Sequence, residues 1–149
     1  MNEKLQIRRM KEEDVECVSV IEQACFTMPW SANAYRQTLK DHKSLYLVAL
    51  IGETIVGMCG LINILGEANI QNVAVQEAYR EKGIAFSMLN ELIRMGEAIG
   101  VQAFTLEVRT GNAAAIHVYE KLGFVSEGIR PRFYEKPVED ALIMWRRKP

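Results

Sequence analysis

The chain has three cysteines, two histidines and no long apolar run among 149 residues, and each shortage excludes something. Cys17, Cys25 and Cys59 are odd in number and none stands in C-x-x-C spacing, which argues against a disulfide framework or a structural zinc site and suits a reducing compartment. His42 and His117 have no second ligand at metal spacing, so no metal is expected. A formal net charge of −1, with no long run of Lys or Arg, offers nothing for non-specific attraction to nucleic acid or an anionic membrane. The longest apolar run, Leu45 to Ile51, is far short of the ~20 residues that cross a bilayer. Met1 to Arg9 holds no apolar core of a signal peptide. These absences predict a soluble, cytoplasmic protein with no membrane partner and no direct nucleic-acid binding.

What is present is a foldable composition. Hydrophobic residues make up 49% and charged residues 25%, enough to bury a core, and the length fits one domain over 1–149. Leu5 and Ile7 alternate with polar neighbours as a short strand. Lys11 to Cys25 follows a helical period, with Val15, Val18, Ile21, Ala24 and Cys25 near one face. Pro29-Trp30-Ser31 interrupts it, and Ser31 can cap a second helix to about Leu39. Strand-like runs follow at Leu45–Ile51 and Ile55–Ile64, joined as a hairpin at Gly52-Glu53, and then at Ala68–Val75. Gly83 to Ile99 is strongly amphipathic, with Ile84, Met88, Leu92 and Ile99 in a stripe. A strand at Phe104–Val108, a helix from Asn112 to Leu122, and closing strands at Phe124–Arg130 and Ala141–Trp145 complete the order. The reading is a mixed α/β (α+β) domain: one mostly antiparallel central sheet flanked by helices.

The turn Arg80-Glu81-Lys82-Gly83-Ile84-Ala85 joins a strand to that amphipathic helix. Such a turn aims free backbone N–H groups, and the positive end of the helix dipole, at one spot. Gly83 allows close approach of a phosphate, while Arg80 and Lys82 add positive charge. Neither G-x-x-x-x-G-K-[ST] nor G-x-G-x-x-G is present, so ordinary nucleotide motifs are excluded. On physics alone an anion site and a plain turn with solvated charges both stay open.

Val73-Ala74-Val75 followed by Arg80 to Ala85 resembles the acetyl-CoA motif of the GCN5-related N-acetyltransferase superfamily, with Ala85 where many members carry a second glycine. The segments Leu106-Glu107-Val108-Arg109, Asn112-Ala113-Ala114-Ala115-Ile116 and Tyr119 to Phe124 more closely resemble the bacterial ribosomal-protein alanine N-acetyltransferases, the RimI-like group. Pro29-Trp30-Ser31, Arg132-Phe133-Tyr134 and Glu139 to Met144 resemble the same group. The resemblance implies the acyl-CoA N-acetyltransferase fold, with acetyl-CoA as cosubstrate. It implies that backbone groups of Val73 and Val75, within Val73-Ala74-Val75, bind the pantetheine arm. N–H groups of the run Glu81, Lys82, Gly83, Ile84, Ala85 and Phe86 would hold the pyrophosphate beside Arg80.

The same resemblance gives Glu107 as general base, Tyr119 as general acid and Asn112 as a pantetheine contact. The chemistry needs such groups. A neutral α-amine must attack the thioester, its proton passing to a carboxylate directly or through water, and the departing thiolate takes one from a phenol. Each residue also has a plainer reading. Glu107 can be a solvated strand residue, Tyr119 a core tyrosine with its hydroxyl on a backbone group, and Asn112 a helix N-cap. Cys25 and Cys59 read as buried fillers. Trp30 and Tyr134 follow or precede turn-like segments, which the resemblance would place around the groove that receives a peptide N-terminus, though either ring can equally be a plug over the core.

The leading expectation is acetyl transfer to the α-amine of a protein N-terminus, by resemblance the N-terminal alanine of a small-subunit ribosomal protein. A small-molecule amine as acceptor is the second reading; a cleft rich in carboxylates would favour a polyamine, an open groove a peptide. A non-catalytic acyl-CoA-binding module is the third.

Overall fold

The computed structural model describes residues 4–148. Seven strands form one sheet: β1 (Leu5–Arg9), β2 (Ser44–Ile51), β3 (Thr54–Ile64), β4 (Glu67–Val75), β5 (Ala103–Arg109), β6 (Val125–Tyr134) and β7 (Glu139–Arg147). Their order across the sheet is β1-β2-β3-β4-β5-β7-β6. Every neighbouring pair is antiparallel except β4 and β5. Four α-helices are described: α1 (Val15–Cys25), α2 (Ala32–Leu39), α3 (Ile84–Ala98) and α4 (Ala113–Lys121). The expected mixed α/β architecture is the one found.

Alternation along β2 explains why helices cover both faces. Leu45, Leu47 and Ala49 join the core cluster that includes Met88, Leu89 and Leu92 of α3. Tyr46, Val48 and Leu50 point the other way, into the cluster with Val15, Val18 and Ile21 of α1 and Tyr35 of α2. Successive side chains leave a strand on opposite faces, so a strand buried on both reads as an unbroken apolar run. The two-residue turn at Gly52-Glu53 sets Ile51 opposite Thr54, which fixes the register of β2 and β3.

Two boundaries and one helix face differ from the sequence expectation. The helix expected from Lys11 opens as a tight 3-10 turn, Glu12–Asp14, before α1. The Asp14 carboxylate accepts from the Lys11 N–H at 2.8 Å and from both Arg8 terminal nitrogens at 2.7 and 2.9 Å, which tightens that turn onto β1. On α1 the buried partner of Val15, Val18 and Ile21 is Glu22, while Ala24 is exposed. At the far end β6 runs on to Tyr134, because a sheet edge can bend through bulges at 126–128 and 130–134 without losing its partner.

The feature that makes a site is a parting of strands. β4 and β5 pair only from Glu67–Asn69 to Ala103–Thr105. Beyond that point Asn72 and Val73 together oppose the single residue Cys59, and Asn72 takes φ +56°. That bulge bends β4 away from β5, and a cleft opens between them.

Candidate active site

The cleft has a volume of about 590 Å³. Its lining brings together Val73 from β4, Glu107 from β5, Asn112 just before α4 and Tyr119 within it, Trp30 from the segment before α2, and Tyr134 at the end of β6. Six of the residues singled out in the sequence, scattered over more than a hundred positions, therefore face one space.

Glu107 lies on β5 between the buried Leu106 and Val108, and its own side chain is half-buried. Pleating turns it away from the apolar face, and the departure of β4 leaves that side open. Asn69 approaches it, Nδ2 to Oε2 at 3.4 Å. No Lys, Arg or His pairs with this carboxylate among the described residues, so it keeps accepting capacity toward the cleft.

Tyr119 sits in α4 with 7% exposure, its ring 5.8 Å from that of Phe124. Burial, with the neighbouring Tyr134 and Cys59 adding to it, pushes its phenol well above the ordinary value. A phenol so shifted holds its proton at neutral pH and is a donor there. Tyr119 lines the cleft, and no enclosed polar side-chain atom among the described residues is left unpaired. Asn112 does act as the N-cap of α4, its Oδ1 accepting from the Ala115 N–H at 3.2 Å, and it also lines the cleft. The N-cap bond leaves Asn112 at the cleft wall.

The turn Arg80–Phe86 lies outside this lining. Glu81 and Gly83 take left-handed φ values of +64° and +77°, and α3 begins with no side chain capping it. Ser87 is the first residue of the helix whose N–H returns to a carbonyl, that of Gly83. The preceding N–H groups face outward from a concave turn, the arrangement that receives phosphate oxygens. A Cβ on Gly83 would meet nothing within 4 Å, so the approach is open. Lys82 and Arg80 are exposed.

Arg80 links turn and cleft. Its Nε donates to the Val75 carbonyl at 3.1 Å, and Nη2 reaches Cys25 Sγ at 3.4 Å. Cys25 is thus a half-buried residue of the cleft wall and not a buried filler, whereas Cys59 is fully buried. The Val75 carbonyl faces the open side, while the Gln76 N–H pairs back to Val56 of β3. Both main-chain groups of one strand residue point to the same edge, and alternate residues share it, so the N–H groups of Val75 and Val73 face the gap. Ala74, between them, pairs with Met58 of β3 and buries its side chain on the α1 side.

Tyr134 is the last residue of β6, directly before the turn at 135–138. Burial and the Glu107 carboxylate push its phenol up to about 12. Trp30 packs its ring 5.2 Å from Tyr35 and 6.2 Å from Tyr46, so it serves both as a plug on the α1–α2 cluster and as a cleft wall. Several cleft residues escaped the sequence reading: Asn69, Gln71 and Asn72 from β4, and Arg109 from β5. Their signal was weak, being polar residues on a strand whose open side depends on a bulge. Among the described residues no three His, Cys, Asp or Glu cluster as for a metal ion, and no helix is long and apolar enough to cross a membrane.

Known proteins resemble this chain in sequence and fold. The sequence profile described as the acetyltransferase (GNAT) family matches residues 15–124. The ribosomal protein bS18-alanine N-acetyltransferase of Escherichia coli K12 is 32% identical over 93% of this chain and 94% of its own length. The enzyme of the same description from Haemophilus influenzae is 33% identical over 88% of this chain and 90% of its own. A crystal structure of the Escherichia coli enzyme superposes with a TM-score of 0.89 at 31% identity, over 97% of this chain and 94% of that one. The parted strands, the uncapped helix turn and the family match agree, and the chain belongs to the acetyltransferase (GNAT) family.

Proposed function

We propose that this acetyltransferase moves the acetyl group of acetyl-CoA to the α-amine of a protein N-terminus, the N-terminal alanine of a bS18-type ribosomal protein. The observation that carries the reading is the single cleft in which Glu107 and Tyr119 meet where β4 leaves β5. The N–H groups of Val73 and Val75 face the gap and Asn112 lines the same cleft, so the pantetheine arm would lie along that edge. The turn from Arg80 to Phe86 then receives the pyrophosphate at the N-terminus of α3.

The neutral amine attacks the thioester carbonyl while a proton passes from nitrogen to the Glu107 carboxylate, directly or through water. A C–N bond forms, the carbonyl oxygen takes the negative charge, and a main-chain N–H at the β4 edge stabilises it. When the C–S bond breaks, the Tyr119 hydroxyl gives its proton to the coenzyme A sulfur. Both side chains regain their starting states from solvent, and no covalent enzyme intermediate is formed.

The lining supports this acceptor. Glu107 is the one carboxylate among the residues lining the cleft, and Arg109 brings a positive charge. A polyamine would be recognised by several carboxylates, whereas a peptide N-terminus presents one amine and a polar backbone. Trp30 and Met28 on one side, with Phe133 and Tyr134 on the other, provide apolar walls for the first side chains. The relatives named above, which act on the alanine of bS18, point to the same acceptor.

The test is release of free thiol from acetyl-CoA with peptides beginning Ala, Ser, Gly or Met, beside spermidine and lysine. Turnover favouring the Ala peptide is the expected result. Turnover with spermidine or lysine alone would replace the peptide acceptor by a small amine, and tight coenzyme binding with no turnover would leave a binding module.

A further inference from the structure

Glu22 is 2% exposed in the interior of α1, yet among the described residues no Lys, Arg or His pairs with it. Three donors converge on it instead. Tyr35 donates from Oη to Oε1 at 2.5 Å, Asn72 from Nδ2 to Oε1 at 3.3 Å, and the Trp30 main-chain N–H to Oε2 at 2.9 Å. The donors come from α2, from the bulge of β4, and from the segment between α1 and α2. Asn72 in turn accepts from Tyr46 Oη at 2.8 Å through its own Oδ1. A continuous chain therefore runs from Trp30 through Glu22 and Asn72 to Tyr46, and both Trp30 and Asn72 line the cleft.

A buried carboxylate is costly where a leucine would stabilise the same helix stripe, and it is tolerable only when its acceptors are filled. Here a carboxylate accepts all three bonds as they stand. A glutamine would have to keep its oxygen on the Trp30 N–H, which cannot reverse, and its N–H2 would then force the Tyr35 hydroxyl and the Asn72 amide to turn from donors into acceptors. The site selects a carboxylate for its bonding pattern, and the bonds fix two pieces of backbone that no regular ladder holds. One is the 26–30 segment; the other is the left-handed bulge at Asn72.

We propose that Glu22 is a positioning residue for the acceptor: it holds the Phe26–Trp30 wall of the cleft at a set distance from the β4 bulge. The inference rests on reading the cleft as the site of the peptide N-terminus. Glu22 touches neither reacting group, so its effect falls on acceptor binding and not on the chemical step.

The experiment compares the wild type with Glu22→Gln, and with Tyr35→Phe, which removes one donor but keeps the Trp30–Tyr35–Tyr46 ring stack. KM for an Ala-starting peptide is expected to rise about tenfold in E22Q and about threefold in Y35F, with kcat and the KM for acetyl-CoA held within about twofold. Hydrogen exchange at the Trp30 amide, measured without substrate, should quicken in E22Q. Peptide KM unchanged, or a loss confined to kcat, overturns the positioning role. Should E22Q fail to fold, Y35F decides alone, and an unchanged peptide KM in it is equally contrary. If the wild type acetylates no peptide, the acceptor reading falls separately; the Trp30 amide then decides, and unaltered exchange in E22Q overturns the proposal.

Discussion

The guanidinium of Arg109 lies 4.5 Å from the centre of the Tyr134 ring and, in the same pose, donates to the carbonyls of Pro137 and Glu135 at 3.0 and 3.1 Å. It also pairs with Glu139 at 3.2 Å, and the other oxygen of Glu139 accepts from the Gly111 N–H at 2.7 Å. One β5 side chain thus fastens the β6–β7 turn and, through Glu139, the loop that precedes Asn112. Replacing Arg109 by Ala should free Tyr134 and raise KM for peptide about five- to tenfold, because the stacking and the fork of hydrogen bonds are lost together. Arg109→Lys should recover little, since a single ammonium cannot span both carbonyls and the ring. Steady-state kinetics of both variants decide this; a lysine that fully restores peptide KM would show that charge alone matters.

Tyr119→Phe should keep the fold, because the ring still packs on Phe124. Its kcat should fall about 100-fold, the usual worth of a positioned acid. Melting temperature and coenzyme affinity near wild-type, beside that loss, are the expected pattern. A variant with full kcat removes Tyr119 from the mechanism.

Gly83 and Gly60 separate two uses of glycine. At Gly83 the φ of +77° disfavours a side chain, though a Cβ there meets no neighbour. Gly83→Ala should therefore cost about 1 kcal/mol of local strain and show itself mainly as a several-fold higher KM for acetyl-CoA. At Gly60 a Cβ would fall 2.3 Å from the buried Tyr46 ring. Gly60→Ala should destabilise by about 3 kcal/mol through overpacking, a fall of about 10 °C in Tm. Thermal melts of the two variants check the contrast.

The Arg8 bond holds the Asp14 carboxyl below its ordinary value, with the Lys11 N–H assisting against the opposing effect of burial. A depressed folded value means that the group binds fewer protons folded than unfolded. Its stabilisation is full above the ordinary carboxylate range and is lost as pH falls through the folded value. Asp14→Asn should melt lower than wild-type at neutral pH, and the gap should narrow on acidification. A gap independent of pH would show that the ion pair contributes nothing through protonation.

Much of the fold was legible because its elements announce themselves locally. The apolar run of β2, the stripe of α3 and the Gly52-Glu53 turn need no tertiary context. Glu107, Asn112 and Tyr119 could be named, but their convergence depends on the bulge at Asn72–Val73, which no local pattern in Asn69-Ile70-Gln71-Asn72 announces. Glu22 had a signal that went unused. With Val15, Val18 and Cys25 it falls at the spacing of one helix stripe, so a charge there already implied buried partners. Those partners, Trp30 and Asn72, are up to fifty residues away, and only the folded chain brings them together.

The most direct test of the central claim, that the cleft carboxylate takes the amine's proton, is turnover of an Ala-starting peptide by Glu107→Gln with acetyl-CoA affinity measured on the same protein. The expected result is a fall in kcat of about 100-fold or more with coenzyme affinity within about twofold of wild-type. Turnover within about threefold of wild-type would contradict it, and the cleft would have to act by holding the two substrates together without a base at Glu107.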